Sequence, residues 1–75
     1  MVLSKMYRTR IKEFRAKKNW KQEDLAQRVG VVRETISKIE VGKYNLSLLL
    51  AYKISKELES SIEEIFIFET QQRVV

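Results

Sequence analysis

Apolar residues recur along this chain with the spacing of amphipathic helices, in short segments that are separated by polar turns. Within each segment the apolar side chains fall three or four positions apart, as they must to form one face of a helix. The pattern predicts five helices, at approximately residues 9–18, 22–29, 33–40, 45–58 and 61–66. With 75 residues and no visible linker, residues 1–75 are expected to form a single all-α domain.

The last two predicted helices and the segment after them carry distinct signals. The fourth helix is expected to bury a row of apolar side chains, Leu50, Ile54 and Leu58, with Leu48 and Ala51 beside it. Ser61 and Glu64 have the spacing of a capping box at the start of the fifth helix. Residues 67–70 are β-prone, and the N-terminal segment at residues 5–8 is the partner available to them, so a short antiparallel pairing of the two ends is predicted.

The sharpest turn is predicted at Gly30, between the second and third helices. Ala26 is small and Gly30 tolerates a left-handed backbone, which are the properties that two helices need to cross closely through a tight turn. Ile36 and Ile39 then bury the back of the third helix. Its opposite face is left with Val32, Arg33, Glu34, Ser37 and Lys38. Residues 22–40 therefore have the pattern of a helix-turn-helix, whose second helix enters the major groove of DNA.

Composition limits the chemistry that this chain can perform. It contains no cysteine and no histidine, which removes thiolate chemistry, the commonest general base and the usual zinc ligands. None of the ten carboxylates has the spacing of a calcium loop. An enzyme, a metal site and a bound cofactor are therefore not expected. The longest apolar patch, "LSLLLAY", is too short to span a bilayer, and the chain is expected to be cytoplasmic and nucleoid-associated, without a membrane partner.

Charge is distributed unevenly along the chain. Residues 1–43 hold 12 Lys/Arg against 5 Asp/Glu, a net charge of +7, whereas residues 44–75 hold 3 against 5, a net charge of −2. This asymmetry predicts one surface that faces a polyanion and another that faces elsewhere. Chance asymmetry in a small lysine-rich protein is the alternative that composition leaves open.

Several motifs are shared with a known family: "RIKEFR", "QEDLA", "VG", "R-TIS-IE", "GKYN-S" and "SIEEIF". Over about 60 of its 75 residues the chain resembles the Cro and phage-repressor (XRE-like) helix-turn-helix regulators, in particular the short bacterial and archaeal members. The resemblance implies a five-helix lambda-repressor-like domain that binds operator DNA as a homodimer. Residues 1–5 look like an extension, and residues 61–70 are expected to form a short helix and strand that contribute to dimerisation.

The resemblance also implies roles for the exposed residues of the helix-turn-helix. Base contacts are expected from Arg33, Glu34, Ser37, Lys38 and Val32. Contacts to the DNA phosphates are expected from Gln22, Lys21, Lys17, Lys43, Tyr44, Asn45 and Ser47. The alternative is a solvated face on which Glu34 and Lys38 form a weak helical ion pair.

Other matched positions imply structural roles. Arg15 and Glu40 are expected to form an ion pair between the first and third helices, while Phe14 and Trp20 are expected in the core rather than as stacking platforms for bases. The expected dimer interface consists of Leu49, Ile62, Ile65, Phe66 and Phe68, some of which must also complete the core. The chain departs from the family pattern at Val32, Lys21, Leu46, Val41 and Glu59, and Val32 and Val41 place part of the DNA-contact set in question.

The function predicted from these observations is a sequence-specific regulator of transcription, acting as a repressor on double-stranded DNA with a pseudo-palindromic site and with no small-molecule ligand. Two alternatives remain at this stage. One is an antitoxin or phage-immunity regulator that also binds a protein. The other is a protein-interaction module that has kept the fold and lost DNA binding, which Val32 and Val41 favour and which the retained Arg33, Lys38 and Lys43 oppose.

Overall fold

The computed structural model describes residues 6–68, which form five helices and one two-stranded antiparallel sheet. In chain order the elements are β1 Arg8–Thr9, α1 Ile11–Lys17, α2 Gln22–Val29, α3 Arg33–Glu40, α4 Leu48–Glu57, α5 Ile62–Ile65 and β2 Phe66–Ile67. Arg8 pairs with Ile67 and Thr9 pairs with Phe66. The predicted fold class, five helices with a short pairing of the two terminal segments, is confirmed.

The terminal segments differ from the sequence prediction in their limits. Helix α1 begins at Ile11 rather than at Thr9, because Thr9 belongs to β1 and the backbone N–H of Arg10 donates to the carbonyl of Ile65 at 2.8 Å. Strand β2 begins at Phe66, one residue earlier than predicted, directly after α5. Of the residues predicted to pair, positions 5, 69 and 70 lie outside the described residues, as does the extension at residues 1–5.

One hydrophobic core joins α1 through α5 and the sheet. Its buried members are Tyr7, Ile11, Leu25, Ala26, Val29, Ile36, Ile39, Ala51, Ile54, Leu58, Ile65 and Phe66. Helix α2 packs against both α3 and α4, so it is the central element of the domain. Of the helices within residues 6–68, none is long and apolar enough to cross a bilayer, the longest being α4 with 10 residues.

The burial of apolar residues along α4 differs from the sequence prediction at one position. Ile54 and Leu58 are buried and Leu50 is half-buried as predicted, but Leu48 is 78% exposed. Leu48 begins the helix and lies at the edge of its buried stripe, where no preceding turn covers it. Ser55, which was not predicted to be buried, lies in the core in place of Leu48. Within the described residues the hydroxyl of Ser55 has no hydrogen-bond partner.

Phe14 and Trp20 pack against the core and are half-buried, and cationic groups lie over both rings. The guanidinium of Arg28 lies 4.1 Å from the centroid of the Trp20 ring, and the ammonium of Lys17 lies 4.6 Å from that of Phe14. Such contacts are favourable because the face of an aromatic ring is electronegative. Both rings therefore pack within the domain.

Candidate nucleic-acid interface

Helices α2 and α3 are joined by a tight turn that depends on Gly30. The glycine has a φ angle of +80°, and its N–H donates to the carbonyl of Ala26 at 2.9 Å. The N–H of Val31 donates to the same carbonyl at 3.0 Å, which closes the end of α2. Because Ala26 is only 1% exposed, its small side chain lies inside this corner. The chain can therefore reverse within three residues and begin α3 at Arg33.

Helix α3 presents two different faces. Ile36 and Ile39 are fully buried against α2 and the core. On the other side Arg33, Glu34 and Lys38 are exposed, Val32 is 63% exposed and Ser37 is half-buried. All five residues predicted to contact bases therefore lie on or next to the outer face of one helix. Val32 precedes α3 in an extended conformation and, as predicted, supplies no side-chain acceptor to the helix start.

The first residue of α3 contacts the first residue of α2. A guanidinium nitrogen of Arg33 donates to Oε1 of Gln22 at 3.3 Å, and another lies 4.0 Å from the carboxylate of Glu34. A bond between these two helix starts places Arg33 beside the free N–H groups at the start of α2, where anions bind favourably. The geometry joins one predicted base-contacting residue to one predicted phosphate-contacting residue.

Behind this contact lies an ion pair between α1 and α3. Nε of Arg15 donates to Oε2 of Glu40 at 2.7 Å, and the two side chains are only 11% and 8% exposed. The same guanidinium donates to the carbonyl of Trp20 at 2.8 Å, and Nε2 of Gln22 donates to Oε1 of Glu40 at 3.1 Å. The carboxylate of Glu40 thus fixes the orientation of the Gln22 amide, whose oxygen is left to face Arg33. This relay, the chain of hydrogen bonds from Glu40 through Gln22 to Arg33, was not predicted from the sequence, because it depends on the crossing of three helices.

The residues predicted to contact phosphates lie at two places. Gln22 is half-buried and Lys21 is exposed at the start of α2, while Lys17 is exposed at the end of α1. The backbone N–H of Lys21 donates to the carboxylate of Asp24 at 2.8 Å, which caps α2 without a Ser or Thr. The remaining four follow α3 in the loop at residues 41–47, where Lys43, Asn45 and Ser47 are exposed and Tyr44 is half-buried.

Ser47 has a structural role that the sequence analysis missed. Its hydroxyl accepts a hydrogen bond from the N–H of Leu50 at 3.1 Å and so caps α4. The signal was present, since Ser47 precedes the apolar run of the fourth helix. Val41, an apolar residue at one of the departures from the family pattern near the expected DNA contacts, is 46% exposed at the end of α3.

The five residues predicted at the dimer interface are divided between the core and the surface. Ile65 and Phe66 are 0% and 2% exposed, so they are the members of the set that complete the core of the domain. Leu49 and Phe68 are exposed and Ile62 is half-buried. Three residues that the sequence analysis did not include are also exposed and apolar: Met6, Leu48 and Tyr52. A groove of about 390 Å³ has Met6, Leu48, Ile62 and Phe68 among its lining residues. The exposed residues Leu48, Leu49, Tyr52 and Phe68 are called the α4–β2 surface below.

Within residues 6–68 no three acidic, histidine or cysteine side chains come together as a metal site. Helices α2 and α3 cross at a tight turn, and α3 has one buried apolar face and one exposed charged face. This is the geometry of a helix-turn-helix.

Comparison with known proteins agrees with this geometry. The helix-turn-helix family model matches residues 11–65. An HTH-type transcriptional regulator of Archaeoglobus fulgidus is 63% identical over 65 residues, which cover 87% of this chain and 92% of the relative. The chain belongs to the Cro/C1-type helix-turn-helix family, and it is a transcriptional regulator with a helix-turn-helix DNA-binding domain.

Solved structures show the same fold. The restriction-modification controller protein C.AhdI of Aeromonas hydrophila superposes with a TM-score of 0.66 at 33% identity, over 73% of this chain and 80% of that protein. The biofilm regulator SinR, solved in complex with DNA, gives a TM-score of 0.64 at 33% identity, over 72% of this chain and 87% of SinR.

Proposed function

We propose that this protein is a sequence-specific repressor that binds a pseudo-palindromic operator as a homodimer. The observation that carries the proposal is the two-faced α3, with Ile36 and Ile39 fully buried and Arg33 and Lys38 exposed. A helix that is anchored from behind can present its outer side chains in the major groove without loss of packing. SinR, a similar structure in complex with DNA, supports this use of the fold.

Sequence preference would come from the outer face of α3. Arg33 and Lys38 can donate to O6 and N7 of guanine, and Glu34 can accept from N4 of cytosine. The hydroxyl of Ser37 can bond to either kind of group, and Val32 can contact a thymine methyl group. Among these residues Arg33 is the strongest candidate for a base contact, since its hydrogen bond to Gln22 holds the guanidinium at the start of both helices.

Affinity would come from the residues around α3. Gln22, Lys21 and Lys17 on one side, and Lys43, Tyr44, Asn45 and Ser47 on the other, are proposed to contact the sugar-phosphate backbone. The lysine contacts among these release counterions, so the logarithm of the binding constant is expected to fall with the logarithm of salt concentration by about 0.9 for each phosphate that a lysine neutralises. They carry no preference for sequence by themselves.

Dimerisation is proposed to occur through the α4–β2 surface. Leu48 and Leu49 are 78% and 62% exposed, and Phe68 is 57% exposed. Exposed leucine and aromatic side chains on one face are typical of a protein interface. A two-fold dimer would place the two α3 helices about 34 Å apart, in successive major grooves. Occupation of a promoter by such a dimer would block transcription.

The experiment that tests this function is selection from a random pool of double-stranded DNA, followed by titration of the enriched site at two salt concentrations. We expect a two-fold symmetric sequence whose binding weakens steeply as salt increases. If the folded protein enriched no sequence even at low salt, sequence-specific DNA binding would be refuted. A protein partner on the α4–β2 surface would then become the better hypothesis.

A further inference from the structure

The segment after α3 is held by the N-terminal segment of the chain. Three carbonyls at alternate positions each accept a hydrogen bond from residues 6–9. The three pairs are the Thr9 hydroxyl with the Glu40 carbonyl at 3.1 Å, the Met6 N–H with the Gly42 carbonyl at 2.8 Å, and the Tyr7 hydroxyl with the Tyr44 carbonyl at 2.9 Å. The N-terminal segment therefore sets the path of the loop at residues 41–47.

The bond from Tyr7 differs from the other two because it reaches the middle of the proposed phosphate-contacting set. Tyr44 lies between Lys43 and Asn45, both of which are exposed. The carbonyl of Tyr44 and the N–H of Asn45 belong to one rigid trans peptide plane, in which the two groups point in opposite directions. By holding the carbonyl inward, Tyr7 directs the N–H of Asn45 outward. Backbone N–H groups are common donors to DNA phosphates.

The aromatic ring of Tyr7 is held in place by packing within the core. It is only 5% exposed, and it packs edge-to-face on Phe66 with ring centroids 6.2 Å apart. Its centroid also lies 6.1 Å from that of Phe68, which belongs to the α4–β2 surface. Because its ring is buried and contacts two aromatic side chains, Tyr7 has little freedom, so its hydroxyl is a rigid point of attachment for the loop.

We propose that Tyr7 is a positioning residue for DNA binding: its hydroxyl orients the Tyr44–Asn45 peptide so that the loop after α3 meets the DNA backbone. The inference rests on the proposed function and extends it to a buried residue that does not itself contact DNA. It also predicts that Tyr7 affects affinity without affecting sequence preference, because the base-contacting face of α3 is held by Ile36 and Ile39.

The test is Tyr7→Phe, which removes the hydroxyl and leaves the ring in place. Binding should weaken by about 5- to 150-fold, the range expected when a dimer loses one hydrogen bond to phosphate in each of its two subunits. The loss should be similar on the selected operator and on unrelated duplex. The slope of the salt dependence should stay close to that of the unmodified protein, because the backbone N–H of Asn45 is uncharged and its loss does not change the number of phosphates that are neutralised. The enriched sequence should stay the same.

The matched control is Ile54→Val, which removes one buried methylene group from α4, outside the loop, and lowers stability by a comparable amount. It should bind DNA with the affinity and salt slope of the unmodified protein. The proposal is overturned if Tyr7→Phe binds DNA as tightly as the unmodified protein, or if Ile54→Val weakens binding by the same factor. The unmodified protein tests the proposed function separately, since a failure to bind any duplex would refute that function and this inference together.

Discussion

Arg15 and Glu40 are joined by a bond of 2.7 Å between Nε and Oε2, in a place where both side chains are almost fully removed from water. The pair also makes polar contacts within the fold to the carbonyl of Trp20 and the side-chain amide of Gln22. The pair thus joins the start of α2 and the end of α3 to α1. It therefore contributes, together with the packing of α2 on α4, to the placement of the helix-turn-helix on the rest of the domain.

Removing one member of this pair should leave a buried charge without its partner. We expect Glu40→Ala to lower the free energy of unfolding by about 3–5 kcal/mol. Glu57→Ala is the control, because Glu57 pairs with Arg28 at 3.8 Å where both side chains are at least 36% exposed, and its loss should cost less than about 1 kcal/mol. Urea denaturation measures both. Equal effects would show that the Arg15–Glu40 pair contributes no more than a surface contact.

Arg33 and Lys43 should affect DNA binding differently. Arg33→Ala is expected to weaken binding to the best operator by about 1–3 kcal/mol and to relax the preference at one base pair. Lys43→Ala should weaken binding to all sequences about equally, because a phosphate contact is independent of sequence. Repeating the selection with each variant measures the difference. An unchanged selected sequence for Arg33→Ala would mean that Arg33 does not contact a base.

A charge on the α4–β2 surface should prevent dimerisation without unfolding the domain. Leu49 is 62% exposed within the subunit, so Leu49→Lys is expected to leave the core intact. At an interface the same charge would lose its hydration, and this cost should shift the protein to monomers. Sedimentation velocity over a range of concentrations measures the change, and circular dichroism checks the fold. A variant that dimerised like the unmodified protein would place the interface elsewhere.

The turn after α4 offers a stabilising substitution. Glu59 has a φ angle of +57°, a left-handed conformation that costs a side-chain-bearing residue about 1–2 kcal/mol. Glu59→Gly should therefore raise the free energy of unfolding by about 1 kcal/mol. The ion pair with Lys18 at 3.4 Å offsets little of this, because Glu59 is 78% exposed. Glu59→Ala separates the two effects, since it loses the ion pair and keeps the strain. Chemical denaturation of the three proteins would contradict the expectation if Glu59→Gly were no more stable than Glu59→Ala.

Tyr7 should make stability sensitive to alkaline pH. Burial raises the pKa of the Tyr7 hydroxyl above its usual value of 10.0. The unfolded chain loses this proton near that pH while the folded protein retains it, so the free energy of unfolding decreases as pH rises from about 10 through the higher folded pKa. Below that window the contribution is fully present. Denaturation of the unmodified protein and Tyr7→Phe at increasing pH should show a smaller decrease for the variant, and parallel curves would contradict the assignment.

The helix-turn-helix could be predicted from the sequence because its determinants are local. Gly30 fixes the turn, and the spacing of Ile36 and Ile39 fixes the buried face of α3, so α3 was predicted with the limits that the structure shows. The segment from Ile65 to Phe68 could not be assigned in this way. Its residues are all apolar, and their division between core and surface depends on how β2 pairs with β1 at the other end of the chain.

The relay through Gln22 shows a second limit of sequence analysis. The amide lies at the start of α2, but its partners, Glu40 and Arg33, lie at the two ends of α3. A pattern along the chain identifies each residue as polar and accessible. Only the crossing of the helices shows that the three side chains meet and that one of them orients the next.

The attachment of the loop after α3 to the N-terminal segment has a consequence for the order in which the domain opens. The bonds from Tyr7 and Thr9 span 37 and 31 positions of sequence, whereas α2 and α3 are neighbours along the chain. Contacts between distant segments require closure of a long loop and therefore carry the larger entropic cost. Fraying of the sheet would then release the loop while the α2–α3 corner stays folded. The N–H of Met6 donates to the carbonyl of Gly42 and that of Arg10 donates to the carbonyl of Ile65, so these two amides should exchange their hydrogens together and earlier than the amides of α2 and α3. The protein should then pass through a form in which α3 is intact and the loop at residues 41–47 is released.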